Sequence, residues 1–414
     1  MTIERIEATY RVITPLFCTG IDPEQAAVRV PSFKGVLRWW WRALAWPRLG
    51  ELDAIRAEED ALFGSARSGR GKVSMRLLRC DAPRLMRKGE VLKDGSANAP
   101  IDGARYLGYG VVEAFGRRAR DDRPATATGE LRRACINAPF TFTIELGARQ
   151  LAPKSRDSLL DALKAVGLLG GMGAKSRKGY GSLMLESLSV GGAALEPTPT
   201  SIASLAEAIR PLLAGARAST ELPPYTAFSS RARIVLLPAV TRSTSPLILL
   251  DHVGREIMRY RSKGRKSPTG RHHEVLGKRS EGNFLDDHRY MLAPRGTARQ
   301  HPRRIVFGLP HNYIEGNVEP EDGDRRASPL FIHIHQCSPL PVAVVTFLPA
   351  RFLPQGRTAR VNVNGRLVPI ADETKELWEP VNVLMERFLG RPSSIEAKTR
   401  KEPFGDALEV EAPR

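Results

Sequence analysis

Apolar and polar residues alternate along residues 3 to 14. Ile6, Ala8, Tyr10 and Val12 fall on one side of this segment, and charged or hydroxyl-bearing residues fill most of the other side. A period of two residues is typical of a strand with one buried face. Pro15 cannot donate a hydrogen bond to a sheet, so it is expected to end the strand. The chain is therefore predicted to begin with a strand at the edge of a core.

A helical pattern follows Pro31-Ser32. Between residues 33 and 46 the apolar side chains recur every three or four positions, as they do on the buried face of a helix. Ser32 is predicted to cap this helix, since a serine oxygen accepts hydrogen bonds from free backbone N–H groups. Lys34, Arg38 and Arg42, four residues apart, form a separate basic stripe on the same helix.

The later segments continue to mix helices and strands. The patterns predict helices from Ser155 or Asp157 to Val166, near Leu205–Leu213, at His252–Arg261 and at Thr374–Leu389, and strands at Ser182–Val190, Ala232–Leu237, Pro329–His335 and Val342–Leu348. This order is typical of an α+β protein. We expect two ferredoxin-like, RRM-like modules, each an antiparallel sheet with helices packed on one face.

The predicted organisation divides the 414 residues into four parts. An N-terminal module spans 1–192, a connection rich in small residues and prolines spans 193–224, a C-terminal module spans 225–392, and a polar tail spans 393–414. Within the C-terminal module, residues 261–304 carry far more cations than acids. Such a segment cannot easily bury its charges, so it is predicted to be a long, mobile insertion.

Charge points to an acidic partner. The chain has 63 Lys and Arg against 45 Asp and Glu, a formal charge of +18, and a sequence pI near 10.1. Neutralising phosphates releases condensed counterions and drives association. Because the cations cluster with glycines and aromatic residues, nucleic acid is favoured over a generally basic, self-repelling surface.

The cysteines indicate neither a zinc site nor a disulfide framework. The four of them lie far apart and form no C-x-x-C pair. No metal or other cofactor is predicted, and a reducing cytoplasm is the simplest compartment. The N-terminus lacks the basic and apolar regions of a signal peptide, and no apolar run approaches the ~20 residues of a membrane span. We therefore expect no membrane partner.

The segment 170–181, GGMGAKSRKGYG, is the strongest functional signal. It places five glycines and three cations in twelve positions between a predicted helix and a predicted strand. Glycine permits unusual backbone angles and close approach to the peptide N–H groups. We expect a polyanion to lie across this glycine loop, with Tyr180 offering its ring to a base. A flexible, solvated turn is the alternative.

Two better-known glycine motifs do not fit. A P-loop needs Gly directly before Lys-Ser and runs from a strand into a helix, whereas Ala174 precedes Lys175 and the order here is helix, loop, strand. The dinucleotide motif G-x-G-x-x-G starts at Gly171 but meets Ser176 where its third glycine belongs. Neither a nucleoside triphosphate nor a dinucleotide is predicted to bind here.

Several motifs, in order, resemble one family. The N-terminal half contains Pro31–Arg38, Leu62–Ser65 and the glycine loop, and these are similar to the signatures of the RAMP superfamily of CRISPR-associated RNA-binding proteins. The resemblance narrows to subunits of the Cmr, type III-B, effector complex through Arg38-Trp-Trp-Trp-Arg42, Phe307–Pro310 and Arg326–Leu330. It covers roughly residues 1 to 390, and its specificity lies in the joint order of individually weak motifs.

The resemblance implies a function without chemistry of its own. A subunit of this kind lies near the 3′ end of the guide RNA, beside other RAMP subunits, and helps to hold guide RNA and target RNA in antiviral defence. Target cutting is then left to other subunits. The long basic segment 261–304 departs from the family pattern, and this leaves the path of RNA across the second module open.

The predicted RNA-binding residues combine the glycine loop, the basic helix and basic positions of the second module. They are Arg29, Ser32, Lys34, Arg38, Arg42, Gly171, Gly173, Lys175, Ser176, Arg177, Lys178, Gly179, Tyr180, Arg259, Arg261, Lys263, Arg325 and Arg326. For the basic helix, a solvated face or salt bridges to protein are alternatives. Trp40 is predicted to lie in the core, and Trp39 and Trp41 are left open between core and base stacking.

Histidines leave a catalytic alternative open. RNA cleavage without metal often uses His as an acid or base. His333 and His335 share a strand face, and Asp286-Asp287-His288 is the most enzyme-like local cluster. A guide-processing endoribonuclease of the related RAMP class is therefore the second hypothesis, although that class carries its glycine loop close to the C-terminus. A surface that binds only proteins is the third.

Overall fold

The computed structural model describes most of the chain. The described residues are 3–94, 100–116, 127–195, 198–218, 221–242, 244–291, 294–312, 316–323, 325–353, 360–370, 375–391 and 400–413. In their N-terminal half the strands are β1 (Ile3–Val12), β2 (Val73–Cys80), β3 (Leu85–Met86), β4 (Cys135–Ile136), β5 (Phe140–Arg149), β6 (Leu183–Val190) and β7 (Ala193–Ala194). The helices are α1 (Val30–Leu49), α2 (Leu52–Phe63), α3 (Asp102–Leu107), α4 (Pro153–Leu169) and α5 (Ile202–Ala214).

The first module has a ferredoxin-like topology. Its sheet runs in the order β2-β5-β1-β6-β7, and its neighbours pair antiparallel. Reading β1, α1, β2, β5, α4 and β6 along the chain gives the βαββαβ order of that fold. The alternating side chains predicted for β1 are correct, since Ile6, Ala8, Tyr10 and Val12 are all fully buried. α1 and α4 pack together on this sheet.

The C-terminal half contains a second set of elements. Its strands are β8 (Arg233–Pro238), β9 (Arg265–Lys266), β10 (His273–Val275), β11 (Lys278–Arg279), β12 (His311–Asn312), β13 (Asn317–Pro320), β14 (Leu330–His335), β15 (Val342–Phe347), β16 (Arg360–Val363), β17 (Arg366–Pro369) and β18 (Leu408–Glu409). Its helices are α6 (Pro246–Arg261), α7 (Asp287–Met291) and α8 (Lys375–Phe388), with a 3-10 turn at Arg303–Phe307.

The second module repeats the fold of the first. Its sheet has the order β14-β15-β8-β18 with antiparallel neighbours. The chain order β8, α6, β14, β15, α8, β18 is again βαββαβ. Residues 400–413 therefore differ from the predicted polar tail, because β18 completes this sheet and Val410 is buried. β18 is only two residues long, which is too short for an alternating pattern to be recognised in the sequence. The other part of the predicted tail, residues 393–399, lies outside the described residues.

The first helix starts earlier than the sequence predicts. α1 begins at Val30, and Arg29 holds the capping position in an extended conformation without a side-chain cap. Ser32 lies inside the first turn, so its predicted capping role is wrong. Pro31 fits this first turn because the N–H that it lacks has no partner within a helix there.

The basic segment 261–304 is folded over most of its length, in contrast to the mobile insertion predicted. β9, β10 and β11 form a small antiparallel sheet within it. Asp287 accepts hydrogen bonds from the backbone N–H groups of Arg303 and Arg304, both at 2.9 Å. The guanidinium of Arg387 lies between Glu256 and Glu281, with N–O distances of 2.6 Å to each. Ion pairing with residues distant in sequence thus lets the segment pack.

The two modules share buried side chains across a common seam. Phe331 and Val344 of the second module belong to the same apolar cluster as Trp40 and Phe33 of the first. Trp40 retains 2% exposure, which confirms its predicted core position, and Trp41 is equally buried. No helix among the described residues is long and apolar enough to cross a membrane.

Candidate nucleic-acid interface

The glycine loop lies between the two modules. It connects α4 to β6, and β14 of the second module pairs with it. The Ile332 N–H donates to the carbonyl oxygen of Arg177 at 3.1 Å, and His333 Nδ1 donates to the carbonyl oxygen of Gly170 at 2.7 Å. Any ligand that contacts this loop therefore also approaches the seam between the modules.

The glycines of this loop serve packing within the protein. At Gly173, with a φ of +85°, an added Cβ would meet the Phe17 carbonyl oxygen at 2.6 Å. At Gly179, also at +85°, it would meet a Leu250 methyl group at 2.4 Å. At Gly171 it would lie 2.9 Å from the Gly181 carbonyl oxygen. Close packing of the chain itself therefore explains why these positions are glycine, and their contact with a polyanion stays a prediction.

Tyr180 is also part of the core. Its ring is fully buried, and its hydroxyl donates to the Ala104 carbonyl oxygen at 2.8 Å. Burial raises the pKa of this hydroxyl well above its ordinary value. The ring packs edge-on against Phe17. The prediction that Tyr180 stacks on a base is therefore wrong, because the hydroxyl and the ring both have partners inside the protein.

The three cations of the loop remain partly exposed. Lys175 adopts a left-handed φ of +63°, which turns the loop at this point. Burial lowers its pKa, and nearby Arg325 and Arg133 lower it further. The pKa of Lys178 falls to about 7, first because of burial and then because Arg261 lies close. The neighbouring Ser176 is partly exposed and lines the groove between the loop and α1.

Arg177 is the best-ordered cation of the loop. Its Nη1 donates to the Ser328 carbonyl oxygen at 2.9 Å, which crosses from one module to the other. Its guanidinium lies 5.1 Å from the ring centre of Trp39 and 4.8 Å from that of Phe331. Such cation–π contacts hold a guanidinium in place without neutralising it. Burial lowers its pKa to about 10.

A second ordered arginine stands on the other side of the seam. Arg326 donates from Nε to the Phe352 carbonyl oxygen at 2.8 Å, and its guanidinium lies 5.5 Å from the centre of the Phe352 ring. Its Nη2 is buried without a hydrogen-bond partner. Burial lowers the pKa of Arg326 to about 10, and the charge of Arg177 contributes. Arg325 beside it is exposed.

These arginines line a cleft between the modules with a volume of about 510 Å³. Its cationic walls come from α1, α2, the glycine loop and the segments next to β14 and β15. The lining includes Arg42, Arg56, Arg177, Arg325, Arg326 and Arg351, together with the acids Glu59 and Asp322. Trp39 also lines it and is half-buried. A concave surface with this excess of guanidinium groups suits a phosphate chain.

A second groove joins this cleft along α1. It has a volume of about 360 Å³, and its walls include Ser32, Gly35, Gly171 and Gly173. Trp39 and Arg177 line both hollows, so the two are neighbours. Together they form a continuous surface from Ser32, in the first turn of α1, to the segment at Arg325 and Arg326.

The basic stripe of α1 is largely engaged by protein. Arg38 Nε and Arg42 Nη1 each lie 2.6 Å from the same oxygen of Glu59, which is buried. Lys34 donates to the Phe63 carbonyl oxygen at 2.7 Å. Of the predicted contacts on this helix, Arg29 is the exposed one, with one long hydrogen bond of 3.3 Å to the Thr19 carbonyl oxygen.

Three predicted RNA-binding residues lie at or just after the end of α6, and they too differ in whether a carboxylate pairs with them. Arg259 pairs with Glu402 at 3.2 Å. Arg261 lies over the Phe307 ring at 5.5 Å and approaches His311 Nε2 at 3.3 Å. Lys263 is partly exposed and close enough to lower the pKa of His288.

The pairing of charges separates two groups of cations. Arg38, Arg42 and Arg259 have carboxylate partners. Within the described ranges, no ion pair is made by the cations that meet at the seam, which are Lys175, Arg177, Lys178, Arg261, Arg325 and Arg326. We call these six residues the seam cations. Sequence reasoning missed Arg133 and Arg351 near them, since neither lies in a recognisable motif.

His333 and His335 do not form an exposed catalytic pair. His333 and His335 are fully buried, and their ring nitrogens lie 3.2 Å apart. Burial lowers their pKa values to about 3 and about 4. Asp287 is occupied by backbone N–H groups, and burial lowers the pKa of His288 to about 4. RNA cannot reach the ring of His335 in this structure, because the side chain has no exposed surface.

Comparison with known proteins finds a family similarity within the first module. Residues 9–184, which contain the end of β1, all of α1 and the glycine loop, match the model of the RAMP superfamily. This segment is similar to the RAMP superfamily. It contains α1, β2, β5, α4 and the glycine loop at the seam.

The chain is also similar to individual CRISPR-associated proteins. The CRISPR system Cmr subunit Cmr1-2 of Pyrococcus furiosus is 28% identical over 181 residues, 42% of this chain and 92% of that protein. The crystal structure of apo Cmr1 from Pyrococcus furiosus aligns with a TM-score of 0.49 and 18% identity, over 92% of this chain and 97% of that one. A chain of the type III-B Cmr-beta complex bound to cognate target RNA aligns with a TM-score of 0.43 and 13% identity, over 84% and 94% of the two chains.

Proposed function

We propose that this chain is a non-catalytic RNA-binding subunit of a type III-B CRISPR ribonucleoprotein. It holds guide RNA, target RNA or both near the 3′ end of the guide, as the first-numbered subunit of a Cmr complex, beside other RAMP subunits. The observation that carries the proposal is the convergence of the six seam cations, none of which has a carboxylate partner among the residues that the structure describes. The similarity to Cmr1-2 of Pyrococcus furiosus supports the type of complex.

The seam supports binding through the phosphate backbone. Arg177 and Arg326 are held by aromatic rings and carbonyl oxygens, so little side-chain entropy is lost when a phosphate arrives. A guanidinium also presents paired N–H donors that match phosphate oxygens. Lys175 and Arg325 add exposed charge beside them. Such contacts position a strand without reading its sequence.

The same geometry argues for the RNA-binding hypothesis over the endoribonuclease. A general acid or base must lie within hydrogen-bond reach of the atom it serves. His333 and His335 have no exposed surface, and each is hydrogen-bonded inside the protein. Tyr180 is buried in the core. The described residues that line the cleft include six arginines and no histidine, and a guanidinium stabilises phosphate charge.

A matched pair of variants tests this proposal. Lys175→Ala/Arg325→Ala removes two seam cations that make no ion pair with a described residue. Arg391→Ala, the control, removes an exposed arginine that lies 3.5 Å from Glu409 of β18. Labelled oligouridylate should bind the double variant roughly tenfold more weakly at moderate salt and the control as tightly as the wild type. The RNA should stay intact on a denaturing gel. Equal affinity of all three proteins, or cleavage by the wild type, would overturn the proposal.

A further inference from the structure

Cations from both modules face each other at the seam. Lys178 lies in parallel pairing with Ile332 of β14, on the loop that the second module covers. Arg261 at the end of α6 is close enough to lower the pKa of Lys178, and Arg325 acts in the same way on Lys175. Arg326 and Arg177 form a third such pair across the seam. Each pair brings one charge from each module.

Like charges in a partly desolvated seam oppose its closure. The Coulomb repulsion between two cations grows as water is excluded, because the local dielectric falls. Apolar packing holds the seam together against this repulsion, through contacts such as Trp39 with Phe331 at 4.8 Å between ring centres. The groups that face Lys178 from the packed elements are cations, namely Arg261, Lys175 and Arg177. The seam cations therefore cost the free protein stability.

We propose that an RNA strand supplies the counter-charge to this seam, so that RNA binding and tight docking of the two modules are one coupled equilibrium. This inference rests on the proposed RNA-binding function. Arg177 of the first module and Arg326 of the second line the same cleft, so a phosphate bound between them neutralises charge contributed by both modules at once. By linkage, a ligand that favours the docked arrangement is itself bound more tightly by it.

The coupling predicts effects of opposite sign from a single substitution. Lys178→Met keeps the length of the side chain and removes its charge. The free variant should unfold at a temperature a few degrees above that of the wild type, since one desolvated charge is gone. The same variant should bind oligouridylate about three- to tenfold more weakly and gain less thermal stability from it. A lysine with only a packing role would move both quantities in the same direction or leave binding unchanged.

Hydrogen exchange measures the docking directly. The Ile332 N–H, which donates to Arg177 across the seam, and the Ile334 N–H, which donates to Ser182 Oγ at 3.0 Å, report on the contact between β14 and the glycine loop. In the full-length wild type, saturating oligouridylate should slow exchange in peptides covering 170–181 and 330–335 by at least about threefold. Peptides covering the β1–β5 pairing, which lie within one sheet, should change little and serve as the internal control.

The outcomes separate the two proposals. If oligouridylate does not bind the wild type at low salt, the proposed function itself fails. If it binds but exchange at the seam is unchanged, or if Lys178→Met lowers both affinity and free-state stability, RNA binding stands and the coupling is wrong. Slowed exchange at the seam together with opposite shifts in Lys178→Met supports the coupling. A matched Lys154→Met variant, at an exposed position of α4, should behave as the wild type in both measurements.

Discussion

Replacing Lys178 by methionine should change how the stability of the free protein depends on pH. The pKa of this lysine is lowered to about 7 in the folded protein, mainly by burial, against an ordinary value near 10.5. Between these two values the unfolded chain binds one more proton than the folded chain. The stability of the wild type should therefore rise with pH from about 7 to about 10.5, and level off below pH 7.

The size of this effect follows from the single proton. One proton corresponds to at most about 1.4 kcal/mol of unfolding free energy per pH unit. Because Lys178 keeps some solvent access, screening by water reduces the contribution, and we expect about 0.5 to 1 kcal/mol per unit. Methionine has no charge to titrate, so the free energy of unfolding of Lys178→Met should lack this slope.

Urea denaturation at pH 7, 8 and 9 measures the difference. Wild type, Lys178→Met and the exposed control Lys154→Met are compared at constant ionic strength, without RNA. The gap between Lys178→Met and the wild type should be largest at pH 7 and shrink as pH rises, while the control follows the wild type. Parallel profiles for all three proteins would show that Lys178 is fully solvated, and this would refute the electrostatic description of the seam.

Three further substitutions test the rest of the structure. Gly179→Ala should destabilise the protein by about 2 to 4 kcal/mol, since a Cβ at a φ of +85° would overlap Leu250; a melting temperature equal to that of the wild type would contradict the packing role of the loop. Arg387→Met should cost about 3 to 5 kcal/mol because it strands Glu256 and Glu281, and limited proteolysis should then cut within 261–304; resistance equal to the wild type would show that the ion pairs do not hold this segment. Glu59→Gln should release Arg38 and Arg42 and tighten oligouridylate binding about two- to fivefold at low salt, whereas weaker binding would mean that Glu59 orients these arginines for RNA.

Much of the fold is readable from the sequence, because periodicity records which face of an element is buried. The alternation in residues 3–14 and the helical stripe around Trp40 correspond to β1 and α1 of the structure. The same patterns located β6, β8, β14 and β15 and the helices α4, α6 and α8, but they did not place β2 and β5 of the first unit. β18 was not predicted because a strand of two residues is too short to show a hydrophobic period. Its position in the sheet is set by its pairing with β8, which is distant in sequence.

The site was predicted less well than the fold, and the reason is the distance along the chain between interacting residues. The sequence placed Lys175, Arg177 and Arg326 among RNA-binding residues, but it could not show that Arg177 reaches Ser328 or that Arg38 and Arg42 share Glu59. A glycine-rich loop also has two physical explanations, close approach of a ligand and close approach of the chain itself. At Gly173 and Gly179 the close neighbour is the chain itself, namely Phe17 and Leu250.

The salt dependence of RNA binding tests the central claim, that the seam cations bind the phosphate backbone, most directly. The affinity of oligouridylate is measured over a range of salt concentrations for the wild type, Lys175→Ala/Arg325→Ala and the control Arg391→Ala. Each phosphate contact contributes about 0.7 to the slope of log affinity against log salt for single strands. The double variant should therefore have a slope shallower by about 1.4, and the control should match the wild type. Three parallel lines would contradict the account, since the RNA would then bind elsewhere on the chain.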